Sequence, residues 1–310
     1  MAFNSLSGGF PQYLLPYQIY ASYRYPFSAL FLMQQGLFPS QTNDIILTSN
    51  PASPICTVCR NFTINNGVTY SQDYICVVAT NSITVNGSID CFTSSDVAYS
   101  FFNGGVAVPL SSIPSVDSDI PCGGGGYTNN GRVGGFGGGA RSTSPSLSVN
   151  PPFSRVIYNS YSNSTILSNS LFISGIRGQG GSSNIAGGIV ILCAPTININ
   201  GNILSFGRNT SYSSANVHAA GGGVVYLVGN NITIGSININ AKGGDATITS
   251  GNYSAFGGGG GFIVIAGTQS ITNNATINVS GGTASGGTYN IDGQNGSLIV
   301  KTFSFYDCQL

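Results

Sequence analysis

The chain has 310 residues, of which 41% are hydrophobic and only 6% charged, and its formal net charge at neutral pH is zero. That apolar content excludes a disordered chain. The lack of any basic stretch excludes nucleic-acid binding by phosphate neutralisation. All nine acids are Asp, and the bases are two Lys, seven Arg and His218. Helices draw on Glu, Lys, Arg, Ala and Leu, whereas Thr, Val, Ile, Tyr and Phe favour strands, so an all-β fold is expected. A surface of Asn, Ser, Thr, Tyr and Gln with few carboxylates to protonate is also expected to tolerate acid.

Residues 1–50 form an unrepeated aromatic head. Tyr13, Tyr17, Tyr20, Tyr23 and Tyr25 cluster with Leu14, Leu15, Leu30, Phe31, Leu32 and Leu37, and a short helix is predicted from about Ser28 to Gln35. This segment reads either as a cap over the end of a β stack or as a docking anchor for other subunits. Pro16, Arg24 and Pro26 interrupt its apolar stretch, so no membrane span is expected. No basic n-region followed by a clean apolar run opens the chain, so no secretory leader is expected.

Residues 51–110 are rich in strand formers. Tyr74–Thr80 followed by Ser82–Ile89 reads as a first β unit. Residues 111–185 read as a Gly- and Pro-rich insertion, with glycine runs at Gly123–Gly126 and Gly134–Gly139. Those runs lack the strand and helix that a nucleotide-binding glycine loop requires. Tyr127, Val133 and Phe136 interrupt them, which favours ordered, close-packed glycine.

Residues 186–310 repeat. Aligning Gly188, Gly223, Gly261 and Gly296 gives steps of 35, 38 and 35 residues, a period typical of stacked architectures. Each copy has an apolar run (Ile189–Leu192, Val224–Val228, Phe262–Ile265) that reads as a strand buried on both faces. An alternating segment follows, in which Ile197, Ile199 and Ile203 face one way and Asn198, Asn200 and Asn202 the other. Turns are expected at Asn86-Gly87, Asn200-Gly201 and Asn295-Gly296. The predicted architecture is a β-solenoid or stacked β-sheet array with glycine-rich loops. Open edges of such a stack must be capped or paired, so a homo-oligomer is expected, with a trimer as its form.

Little in the chain points to catalysis, and no enzyme is expected. A glycosidase needs two carboxylates about 5 to 10 Å apart. Asp117 with Asp119, and Asp90 with Asp96, are the only suggestive pairs. A triad could use only His218. Gly243-Gly-Asp245 occurs once, too little for a calcium repeat. No cofactor and no metal are expected. Seven cysteines include Cys56-Thr-Val-Cys59; with Cys76 and Cys91 they are candidates for disulfides, with zinc and redox readings behind. The odd count leaves one thiol free or bridging to another chain. Candidate glycosylation sequons stand at Asn61, Asn86, Asn163, Asn209, Asn231, Asn252, Asn274, Asn278 and Asn295, little above what this composition yields by chance.

The glycine run, apolar strand, Asn/Ile strand and Gly-Gly restart, clearest over 257–282, resemble the glycine-rich β domains of viral tail fibres and receptor-binding proteins. The low-charge, Asn/Ser/Thr/Tyr-rich composition resembles virion and surface proteins of thermoacidophilic archaea, including their spindle-shaped viruses. The resemblance covers about 171–302 and, more weakly, 74–105. It implies a fibre, spike or nozzle part on the virion surface that joins other virion proteins through residues 1–50. Such a part would meet a host surface glycan or glycoprotein through loops at 123–141, 208–220 and 243–256. The alternatives are a polysaccharide-degrading β-helix enzyme and a cellular surface-layer or filament subunit.

Overall fold

The computed structural model describes residues 24–94, 97–100, 106–109, 171–173, 175, 178, 185–214 and 216–304, with only the backbone course given for 97–100, 106–109 and 171–173. Helix α1 (Arg24–Gln34) comes first, starting earlier than the sequence suggests. Strand β1 (Asp44–Leu47) follows, then β2 (Ile55–Ile64) with β3 (Thr69–Gln72), and β4 (Tyr74–Val85) with β5 (Ser88–Thr93). Strands β6 (Val97–Ser100), β7 (Val106–Pro109) and β8 (Leu171–Ile173) pair antiparallel with one another in the order β7-β6-β8. Thus Val97–Ser100 and Val106–Pro109 pair within the excursion, not with the repeat strands described.

Short β9 (Ala186–Gly187) returns the chain to the stack. Three full copies follow. The first is β10 (Ile189–Ile199), β11 (Ile203–Leu204), β12 (Thr210–Tyr212) and β13 (Val217–His218). The second is β14 (Val224–Ile234), β15 (Asn238–Asn240), β16 (Ala246–Ile248) and β17 (Ser254–Phe256). The third is β18 (Phe262–Asn273), β19 (Thr276–Asn278), β20 (Ala284–Ser285) and β21 (Tyr289–Ile291), and β22 (Ser297–Thr302) begins a fourth.

Each strand lies parallel to its counterpart in the next copy. The long strands make a seven-stranded sheet in the order β1-β2-β4-β10-β14-β18-β22. A second sheet runs β19-β15-β11-β5-β3, and two three-stranded sheets run β12-β16-β20 and β13-β17-β21. Register follows the sequence repeat: Ile189 pairs with Val224, which pairs with Phe262, which pairs with Ser297. Tyr74 pairs with Ile189, so β4 is a copy of the same unit, with the excursion inserted between them.

The alternating segment does what its period demands. Ile83, Ile197 and Ile232 stack on the inner face with Val85, Ile199, Ile203, Ile234 and Ile239, all essentially inaccessible. Thr84, Asn198, Thr233 and Thr272 align on the outer face. The apolar run is buried on both faces, as expected, because its outer side chains (Cys76, Val78, Ile191, Cys193, Tyr226, Val228, Phe262) lie under α1. Leu30 and Leu32 of the helix complete that layer. Phe27 meets Phe303 edge-on at 5.1 Å, and the Gln34 amide donates to Asn230 and Thr268 at 2.7 and 2.8 Å. Within the described part of the head, α1 therefore covers a sheet face of its own chain, while β1 lies on β2 at the end of the stack. Residues 1–23 lie outside the described residues.

Glycine fills the space between the two sheets and a smaller core of Val217, Ala219, Ala246, Ile248 and Ala255. There backbones bond directly: Gly244 N–H to Ala220 O at 2.8 Å, Gly258 N–H to Gly244 O at 2.9 Å and Gly282 N–H to Gly258 O at 2.8 Å. A Cβ on Gly258 would lie 1.9 Å from Ala220 O, so no larger residue fits. The glycine runs of the insertion, where such packing was also expected, lie outside the described residues.

Candidate functional site

Charge gathers at one corner of the stack, where β5, β11 and β15 hand over to the loops that follow. Arg208 donates to both carboxylate oxygens of Asp90, at 3.1 and 2.8 Å. Its guanidinium lies over the Phe206 ring at 4.2 Å and within 5.8 Å of the Phe92 ring centroid, close enough for cation–π attraction. One layer on, Lys242 donates to both oxygens of Asp245 at 2.7 Å. Asp245 also accepts the N–H and hydroxyl of Thr283 at 2.7 and 3.0 Å, and Asp292 accepts the N–H of Ala284 at 2.7 Å.

This corner is badly arranged for acid–base chemistry. A glycoside hydrolase needs one carboxyl whose pKa is raised so that it holds a proton. Burial works against ionisation of Asp245, but the bonds from Lys242 and Thr283 outweigh it and hold the carboxyl below the usual range. At the far end of the stack, the Arg60 guanidinium at 2.6 Å holds Asp44 down at about 2. Asp90 and Asp96 were paired in the sequence; Asp90 is instead committed to Arg208, and Asp96, Asp117 and Asp119 lie outside the described residues. His218 is not placed for a triad: it is buried, stacked on Phe256 at 4.5 Å with 13° between the rings, and burial lowers its pKa to about 4. Among the described residues no group of three or more His, Cys or Asp side chains could hold a metal ion.

Amide and hydroxyl groups elsewhere on the described surface are organised in ladders. Asn61 Oδ1 accepts from Asn81 and Ser82 at 2.7 and 2.8 Å, and its amide donates to Asp44 at 2.9 Å. Asn231 donates to Gln269 at 2.9 Å and accepts from Ser270 at 2.8 Å. Asn86 accepts from Asn200 at 2.9 Å. Among the other sequon residues, Asn209, Asn278 and Asn295 each accept a backbone N–H. Asn252 and Asn274 are exposed in loops, and Asn163 lies outside the described residues. The amide nitrogens of Asn61 and Asn231 are thus already engaged, whereas Asn252 stands out on the turn beside Gly251, whose φ is +89°.

The five described cysteines are free thiols. Positions i and i+3 of a strand face opposite ways, so Cys56 lies in the layer under α1 while Cys59 joins the inner core with Cys91. The CxxC spacing therefore does not bring its own two sulfurs together. Cys76 sits beside Cys56, and Cys122 and Cys308 lie outside the described residues.

The sequence points to binding in the loops at 208–220 and 243–256, which touch this corner, and to Asp90 as a partner of Asp96, but not to the Arg208–Asp90 pair or to Phe92, Phe206 and Lys242. The available signal was that in so charge-poor a chain, Asp90, Arg208, Lys242 and Asp245 all fall on or just after the second strand of successive copies. No helix among the described residues is long and apolar enough to cross a membrane. Comparison with protein-family models, with curated proteins and with solved structures finds no match to this chain.

Proposed function

We propose that this chain is a virion structural protein of the tail-fibre, spike or nozzle type, built as a β-solenoid, which assembles with its own copies and attaches to a host surface glycan. The observation that carries the reading is that, among the described residues, each end of the long-strand sheet is a half-length strand. Among the described residues, β22 pairs with Phe262–Gly267 of β18, and β1 pairs with Asn61–Ile64 of β2. Carrying the register through, these halves are complementary: one lies along the first part of the long strand, the other along the second.

In an end-to-end pair, β22 of one copy would lie on Ile55–Cys59 of the next, and β1 of that copy on Ser270–Asn273 of the first. Leu298 would then stack on Ile55 and Ile45 on Ile271, extending the same apolar columns. Leu298, Val300 and Ile46, at 42%, 45% and 59% exposure, are the side chains such a joint would cover. Contacts of this head-to-tail kind build rods or rings, so this support favours stacking over a three-fold bundle. Amide ladders and the Arg208–phenylalanine corner offer hydrogen bonds and an aromatic face, the groups that suit sugar hydroxyls and sugar C–H faces.

Immunogold labelling of virus preparations with an antibody to this chain tests the reading. Gold on particle tips or projections is expected; gold on cellular surface layers, or none on particles, rejects it. Sedimentation of the purified protein tests the joint. Association that disappears in Leu298→Lys/Val300→Lys is expected, and a wild type that remains monomeric at high concentration rejects the end-to-end contact.

A further inference from the structure

We propose that Cys56 and Cys76 form a reversible disulfide that staples β2 to β4, made by exchange with a low-molecular-weight disulfide arriving from solvent at Cys56. The two residues are direct register partners on adjacent parallel strands. Strands in a sheet lie about 4.8 Å apart, inside the roughly 4.4–6.8 Å range of Cα separations that a disulfide spans. Both side chains point to the same face, into the layer beneath α1, and their thiols hydrogen-bond one another. Bond formation therefore needs little more than a side-chain rotation.

Of the neighbouring thiols, two face away and the third, Cys193, shares the layer but is not a register partner of either cysteine. Cys59 and Cys91 lie on the inner face of the sheets. Cys193 belongs to β10, in register with Val78, and donates to the Pro26 carbonyl at 3.1 Å. Within the pair the roles differ. Cys56 is partly exposed, whereas Cys76 is fully buried. The hydrogen bond from Cys76 holds the Cys56 thiol below its ordinary range, and burial drives Cys76 well above it. The thiolate is the attacking species in exchange, so Cys56 reacts first.

The exchange balances without further reagents. The Cys56 thiolate attacks one sulfur of the small disulfide, forming a mixed disulfide and expelling one small thiolate. Cys76 then loses its proton and attacks the Cys56 sulfur, forming the Cys56–Cys76 bond and expelling the second small thiolate. The protein pair gives up two electrons and two protons, and the small disulfide takes them up as two thiols. The closed bond bridges the first two layers, at the end of the stack where the copies are shortest.

Oxidised glutathione incubated with the native full-length protein, at a concentration where sedimentation shows single copies so that no neighbouring β22 covers Cys56, is the probe, followed by unfolding, alkylation of the remaining thiols and peptide mass mapping. A single Cys56–Cys76 link is expected, with Cys59, Cys91 and Cys193 alkylated. Cys76→Ala should stop at glutathione on Cys56, and Cys56→Ala should take up none at Cys76. If Cys76→Ala does not fold, a wild-type time course should show the Cys56 mixed disulfide appearing before the link. The oxidised protein should melt several degrees higher, and dithiothreitol should reverse the shift. A link from Cys56 to Cys59 or Cys193, a wild type that halts at the mixed disulfide, or no reaction overturns the proposal.

Discussion

The carboxamide oxygen of Asn209 accepts the backbone N–H of Asp245, one layer further along the stack, at 2.8 Å. Asn202 does the same for Asn238 at 2.9 Å and Asn216 for Ser254 at 2.8 Å. In the next interval Asp245 takes over the role of Asn209 and accepts the N–H of Thr283 at 2.7 Å. At these corners the strands end and the backbone ladder lapses, so a side-chain acceptor replaces the missing carbonyl. Asn209→Ala leaves that N–H without its acceptor and should cost about 1 kcal/mol. Urea unfolding should show a lower midpoint with an unchanged slope. An unaltered midpoint would mean that water substitutes fully for the amide.

The glycine layer predicts opposite signs for the same substitution. In Gly258→Ala the new methyl would meet the Ala220 carbonyl oxygen at 1.9 Å and its carbon at 2.6 Å, both backbone atoms that cannot move without shifting a layer. The cost should be about 3 kcal/mol, or enough to prevent folding. In Gly235→Ala the nearest atom is Ile199 O at 3.5 Å, ordinary contact distance. There the lower freedom of the unfolded alanine chain should raise stability by about 0.5 kcal/mol. Thermal melts of the two variants side by side provide the check, and equal effects would refute the close packing.

Much of this was written in the residue pattern. The steps between Gly188, Gly223 and Gly261 became the strand register itself, because equal copies stack most tightly in phase. The alternation through Ile197 and Asn198 fixed which side chains face inward, because a strand has period two. The chain does not reveal what lies on the outer face of the apolar runs. Leu30 and Leu32 reach it from far away in sequence, and such pairings leave no local trace. Nor does β2 announce itself as a copy, since its layer lacks the glycine half that marks the others. The charged corner was hidden for the same reason as the helix: Asp90 and Arg208 meet only after the excursion closes.

That closure makes the excursion separable. Tyr74 is in register with Ile189, and Thr93 at the end of β5 is paired with Ala186 of β9. Both exit and re-entry thus lie in one layer, which is closed by Gly175 and Gly187: the N–H of Gly175 donates to Gly187 O at 2.8 Å. Replacing residues 95–174 with a flexible Gly/Ser linker should leave the stack intact, because closing a loop costs little more when it is long than when it is short. Circular dichroism should keep its strand signature and melting should stay cooperative. A variant that fails to fold would show that the excursion supplies part of the core.

The low-charge surface implies indifference to mild acid, but His218 introduces one exception from the interior. Burial lowers its pKa from 6.5 to about 4, so the unfolded chain binds the proton more readily than the folded one. The sign follows: the contribution is fully present above pH 6.5, is lost as pH falls to about 4, and is constant below. A shift of that size corresponds to about 3 kcal/mol. Asp44, held at about 2 against a usual 3.8, adds a further loss only below about pH 4. His218→Phe keeps the ring against Phe256 and removes the titration. Melting temperature measured from pH 7 to pH 4 should fall in the wild type and stay level in the variant. A fall of equal size in both would place the acid sensitivity elsewhere.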